Sequence, residues 1–122
     1  MIIRARVIEN SPAVLMARIL GVNGSPMGVS DVASITVKSY NPGSAIQTGN
    51  TVIPSVSGTI TPLTLDGRWK SDLIGYNFAL ALDGSMWPDE GATQVEVKIT
   101  PSGTASPFYV VWLLAVDELY SL

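Results

Sequence analysis

Hydrophobic and polar residues alternate along most of the chain with a period close to two. The clearest case is TQVEVKIT at residues 93–100, in which three β-branched apolar residues alternate with Gln, Glu and Lys. Such segments are separated by clusters of Gly, Pro, Asn, Ser and Asp, which are the residues that turns require. A period of two places successive side chains on opposite faces of a β-strand, so the pattern predicts strands throughout and no long helix.

This alternation sets the expected strand boundaries. Strands are predicted at residues 2–8, 13–20, 33–40, 58–65, 76–82, 93–100 and 108–116, with a short edge strand near 51–53 and a loop at 68–75. Asn23-Gly24 is the sharpest turn signal, because both residues tolerate positive φ. Strands of this length and spacing predict an all-β fold, a single immunoglobulin-like β-sandwich of about seven antiparallel strands. At 122 residues, the whole chain (1–122) is expected to form one domain.

Composition narrows the possible chemistry. The chain contains neither histidine nor cysteine, so a Ser-His-Asp triad, a thiol nucleophile and the usual transition-metal ligands are all missing. It carries no phosphate-binding glycine motif, and its net charge of −3 leaves no basic stripe for nucleic acid. The longest apolar run has nine residues, too short to span a membrane, and no export signal is apparent. We therefore expect no enzymatic activity, no cofactor, no nucleic acid and no membrane.

Carboxylates concentrate in LDGSMWPDEGATQVEVK, residues 82–98. Asp83, Asp89 and Glu90 are candidate calcium ligands, because calcium prefers oxygen ligands of this kind. Their spacing does not match an EF-hand loop, and turn chemistry alone also explains Asp and Gly between strands. Glu96 alternates outward in the next strand and so leaves this group.

Two tryptophans fall in predicted connections. Trp69 and Trp87 are candidates for stacking on a sugar ring, as in carbohydrate-binding β-sandwiches. The alternative is that they cover the open ends of the sandwich, because a large aromatic side chain buries much apolar area.

The last strand is apolar on both faces. One row contains Trp112, and the other contains Tyr109, Val111 and Leu113. A sandwich strand normally keeps one face in water, so the second row must be covered by the chain's own loops or by a partner. We expect an interface that includes Tyr109, Val111, Trp112 and Leu113.

Four segments together resemble the small immunoglobulin-like domains of tailed-phage structural proteins, such as capsid decoration proteins and the N-terminal domain of the baseplate upper protein. They are ARILGVNGSPMGVSDVASITVKSY, GYNFALAL, GATQVEVKITPSG and PFYVVWLLAV. The resemblance implies a non-enzymatic virion protein, a capsid decoration protein or a neck or tail connector, assembled in the cytoplasm of the host bacterium. Its partners would be capsid, neck or tail proteins and other copies of itself. The alternative function is a carbohydrate-binding module that uses Trp69 and Trp87 to bind a glycan.

Overall fold

The computed structural model describes residues 1–21, 23–66 and 74–118. Its strands lie close to the predicted ones: β1 (Ile2–Ile8), β2 (Ala13–Ala17), β3 (Val32–Tyr40), β4 (Ile60–Thr64), β5 (Tyr76–Leu82), β6 (Gly91–Pro101) and β7 (Phe108–Asp117). The helical elements of the described residues are a 3₁₀ turn, Val29–Asp31, and one helical turn, α1 (Val56–Thr59). The all-β prediction is confirmed, whereas the loop predicted at 68–75 lies largely outside the described residues.

The strands form two sheets. One has four strands in the order β1-β7-β6-β3, and the other has three in the order β2-β5-β4. The prediction that all strands run antiparallel is wrong for one pair, since β1 and β7 are parallel, with Ile2 opposite Val111 and Ile8 opposite Asp117. Parallel pairing needs a long connection, and here nearly the entire chain separates the two strands. Sequence periodicity carries no information on such a distant pairing.

One apolar core lies between the two sheets. Every strand contributes buried residues to it, and the Phe78 and Trp112 rings stack across the interior with centroids 5.5 Å apart. The alternation along each strand explains this arrangement, because every second side chain points into the space between the sheets. In β6 the inward residues are Val95, Val97 and Ile99, as the sequence pattern predicts.

Asn77 is a polar residue inside this core. Its side chain accepts a hydrogen bond from the Ile19 amide (2.6 Å) and donates to the carbonyls of Ile19 (2.8 Å) and Met27 (3.0 Å). The amide group therefore satisfies backbone groups of a neighbouring segment that lies beyond the end of β2. This side chain takes the role of a missing strand neighbour, which explains why β2 ends at Ala17 rather than at the predicted residue 20.

The connection between β3 and β4 also differs from the prediction. The Ser55 hydroxyl accepts a hydrogen bond from the Gly58 amide and caps α1, so β4 begins at Ile60 instead of 58. The expected edge strand near 51–53 is reduced to a single antiparallel bridge, in which Val52 and Val37 exchange backbone hydrogen bonds of 2.8 and 2.9 Å.

Candidate interaction surfaces

The structure separates the two apolar rows of β7. Val110, Trp112, Leu114 and Val116 point into the core and are buried. Tyr109, Val111 and Leu113 point to the other side, where Tyr109 is 50% exposed and the other two are half-buried. The prediction that Trp112 belongs to the interface is wrong, because its ring is buried between the sheets against Phe78.

β7 lies inside the four-stranded sheet, so its outward row runs along the middle of an open face. We call this face the four-stranded outer face. Its register places Val111 between Ile2 of β1 and Glu96 of β6, and Leu113 between Arg4 of β1 and Gln94 of β6. The result is an apolar strip along β7 with charged and polar side chains on both sides.

The charges on this face are mostly positive. Arg4 and Arg6 stand on the β1 side, and Lys38 and Lys98 stand on the β3 and β6 side. Arg6 binds Asp117 through two hydrogen bonds, of 2.5 and 3.2 Å, which hold the pKa of that carboxyl below its ordinary value. Within the described residues, Arg4, Lys38 and Lys98 form no ion pair. Glu96 stands opposite Lys38, so the face carries both signs of charge but a net positive charge around the apolar strip.

The outer face of the three-stranded sheet is a second apolar surface, which was not among the sequence-based expectations. Val14 of β2 is 57% exposed and lies beside Ala81 of β5, and Met16 lies beside Ala79. Leu63 of β4, the strand on the other side of β5, is also exposed. The strands contribute no charged side chain to this face. The signal was present in AVLMA and FALAL, since the outward positions of both segments are also apolar.

The candidate calcium ligands do not converge. Asp83 accepts hydrogen bonds from the Ser85 amide (2.9 Å) and hydroxyl (2.7 Å), an arrangement that lowers the pKa of its carboxyl and closes a turn. Across residues 1–21, 23–66 and 74–118, no three acidic side chains lie close enough together to hold a metal ion. Asp83, Asp89 and Glu90 therefore do not form a three-carboxylate site in this structure, and turn chemistry, the alternative for this segment, accounts for Asp83.

Trp87 is 0% exposed and presents no ring face to a sugar. Its indole donates a hydrogen bond to the Ser11 carbonyl (2.9 Å), and its own carbonyl accepts one from the Asn10 amide (3.1 Å). Gly84 makes this closure possible, because its φ is +93° and a Cβ there would lie 2.6 Å from the Ser11 oxygen. Trp87 therefore covers the end of the sandwich, and its role in glycan stacking is contradicted. Trp69 lies outside the described residues.

One cavity of about 260 Å³ lies at the end of the sandwich opposite Trp87, between Met27 and Phe108. Asp31 is the one carboxylate in its described lining, and that carboxylate already accepts a hydrogen bond from the Gly28 amide (2.8 Å). General acid–base hydrolysis needs a pair of carboxylates, and this lining does not supply one.

No protein-family model, curated protein or solved structure matches this chain. The described residues contain no helix long and apolar enough to cross a membrane.

Proposed function

We propose that this chain is a non-enzymatic structural protein of a bacteriophage virion that acts through protein–protein contacts. Its role would be capsid decoration or connection within the neck or tail, among capsid, neck or tail proteins and further copies of itself. The observation that carries the proposal is that both outer faces of the sandwich expose apolar side chains, on the inner strand β7 of one sheet and on strands β2 and β4 of the other. Apolar surface of this kind on a folded domain marks contact with other proteins.

The geometry favours flat surfaces over a ligand pocket. The outward residues of β7 and of β2 lie in regular rows on sheets, where they offer a rigid surface at little conformational cost. A protein that occupies one place in an assembly needs such surfaces and needs no catalytic group. The strands of the three-stranded sheet carry no charged residue, so the apolar outer face that they form suits a contact that stays buried.

The strand order supports an immunoglobulin-like class for the sandwich. In that class one sheet contains strands B, E and D, and the other contains G, F and C. The orders β2-β5-β4 and β7-β6-β3 correspond to these two sets when the strands are lettered along the chain. β1 departs from the constant-type arrangement, because it pairs with β7 in the four-stranded sheet and not with β2. The proposed virion role itself rests on the sequence resemblance to phage structural domains.

The test is whether the chain is part of a particle. Phage particles purified on a density gradient from the lysed host should contain this chain in a fixed ratio to the major capsid protein, as measured by quantitative mass spectrometry. Purified protein added to particles that lack it should co-sediment with them and reach saturation. Absence from the particles, together with failure to co-sediment, would exclude the proposal.

A further inference from the structure

The fold sorts the charges of this chain into separate regions. The four-stranded outer face carries four of the seven Lys and Arg residues but only two carboxylates, Glu96 and Asp117, a net charge of +2. Because the whole chain has a net charge of −3, the remaining residues carry −5. The outer face is thus a basic surface on an acidic protein.

Much of the negative charge lies at one end of the sandwich. β1, β5 and β7 finish at this end and β6 begins there, as shown by the hydrogen bonds from the Glu9 amide to Asp117 and from the Asn10 amide to Trp87. The described connections at this end, residues 9–12, 83–90 and 118, contain no lysine or arginine and expose several carboxylates. We call them the acidic end; they are Asp83, Asp89, Glu90 and Glu118.

An exposed apolar side chain accompanies the acidic end. Ile46 lies in the segment after β3 and is 79% exposed. Its neighbour Gln47 bridges to Tyr40, the last residue of β3, and the Thr48 hydroxyl donates a hydrogen bond to the Met86 carbonyl (2.7 Å). Ile46 therefore projects at the same end as the carboxylates. An acidic end that also exposes an apolar side chain is the complement of an apolar strip on a face of net positive charge.

From this complementarity we infer that the four-stranded outer face binds the acidic end of a second copy of the chain. Carboxylates of one copy would lie against Lys38, Lys98 and Arg4 of the next, and Ile46 would contact the strip formed by Val111 and Leu113. The inference deepens the proposed function and rests on it, because it names the partner of a surface proposed there to bind protein. A face-to-end contact is heterologous, so it repeats from copy to copy and builds a ring or an open chain.

Two other modes of self-association fit less well. Packing two outer faces against each other would bring together surfaces that each carry +2. Pairing the open edges of two β1 strands in antiparallel fashion about Ala5 would place Arg4 of each copy beside Arg6 of the other, and like charges directly opposite destabilise a sheet. Arg4 and Arg6 thus protect this edge from pairing.

The available area is adequate for a specific contact. Four strands about 4.8 Å apart, each presenting about eight residues at roughly 3.4 Å per residue, give a projected face of roughly 500 Å². Side-chain relief increases the accessible area, and a standard interface buries about 800 Å² on each partner.

Sedimentation velocity over a concentration series measures this association. Raising the salt from about 0.1 to about 1 M shortens the screening length from about 10 to about 3 Å, so the wild-type protein should dissociate. Lys38→Gln with Lys98→Gln, and separately Asp89→Asn with Glu90→Gln, should each weaken association by about tenfold. Thr104 and Ser106, exposed at the opposite end, provide matched controls: changing both to Glu, or both to Lys, alters net charge equally and should leave the affinity unchanged.

Charge reversal then tests the direction of the contact. Lys38→Glu with Lys98→Glu should prevent association, and so should Asp89→Lys with Glu90→Lys, because each variant presents like charges at both surfaces. An equimolar mixture of the two should associate again, since each surface meets its opposite. Circular dichroism should show the wild-type fold in all variants.

Association that survives reversal of Asp89 and Glu90 would overturn the inference and leave a face-to-face contact. A protein that is monomeric at low salt would also overturn it. The proposed function would still stand in either case if the chain saturates particles, so the two failures are distinguishable.

Discussion

Leu113 and Leu114 are neighbours in β7 that differ almost only in the face to which they point. Leu114 is 1% exposed in the core, whereas Leu113 is half-buried in the outward row beside Arg4. Replacing each in turn by Asp places the same charge one residue apart on the two sides of one sheet. The pair therefore tests the division of β7 into a core row and a contact row.

The expected costs differ severalfold. Leu114→Asp removes a fully packed side chain, worth about 2–5 kcal/mol, and adds the penalty of placing a carboxyl group in an apolar interior, which costs several kcal/mol more. A domain of this kind has a total stability of about 5–15 kcal/mol, so this variant should be largely unfolded. Leu113→Asp should cost only about 1 kcal/mol, because its carboxylate reaches water and lies opposite Arg4 of the neighbouring strand β1.

Urea denaturation followed by tryptophan fluorescence measures both costs. Buried Trp87 and Trp112 report on the core, and the folded Leu113→Asp variant should show the same slope against urea as the wild type. The same variant should weaken any association measured by sedimentation, because the charge stands in the contact strip. Equal destabilisation by the two substitutions would refute the assignment of the rows.

Three further predictions concern the elements that support these surfaces. Asn77→Ala should lower the free energy of unfolding by roughly 3 kcal/mol in urea denaturation, because it leaves the buried Ile19 N–H and the Met27 carbonyl without their hydrogen bonds. The Ile19 carbonyl still accepts a hydrogen bond from the Met27 amide. A loss below about 1 kcal/mol would contradict this prediction. Gly84→Ala should lower the melting temperature more than Gly103→Ala does. Both glycines have positive φ, but only a Cβ at position 84 would clash with the Ser11 carbonyl. Equal losses in melting temperature would show that the clash with Ser11 makes no contribution. Asp117→Asn should reduce stability above about pH 4 and have no effect in stronger acid. Arg6 lowers the pKa of Asp117 in the folded state below 3.8, and the stabilisation by the carboxylate is lost as the pH falls through this lowered folded-state pKa. A loss of stability that is independent of pH, measured by urea denaturation at several pH values, would contradict the pairing.

The local pattern predicted those features of the fold that depend on neighbouring residues. Strand β5 matches the expected range at both ends, and the inward row of β6 is as expected, because alternation acts within a single strand. The parallel pairing of β1 with β7 escaped prediction because it joins opposite ends of the chain. The end of β2 escaped it because Asn77, about sixty positions away, supplies the hydrogen bonds that end the strand.

The candidate site was predicted in part. Tyr109, Val111 and Leu113 lie on an outer face as expected, since a doubly apolar strand in a two-layer fold must turn one row outward. Trp112 was included in the expected interface, although its spacing placed it in the other row, with Val110, and the structure buries that row in the core. Grouping Asp83 with Asp89 and Glu90 failed because proximity in sequence does not bring side chains of a turning loop to one point.

The charge separation was not visible in the sequence. Arg4, Lys38 and Lys98 are scattered along the chain, and only the strand order β1-β7-β6-β3 brings them onto one face. The net charge of −3 gives no indication of a basic surface, because it sums the charges of the whole chain, whereas a partner contacts only one face.

Sedimentation velocity of the purified chain at low salt, with and without particles that lack it, tests the central claim most directly. A chain that binds through its sheet faces should sediment as species larger than the 12.9 kDa monomer, or should co-sediment with the particles to saturation. Leu113→Asp or Val14→Asp should reduce this self-association or particle binding while the fold is kept. A protein that remains a monomer at every concentration and stays in the supernatant when particles are pelleted would contradict the account.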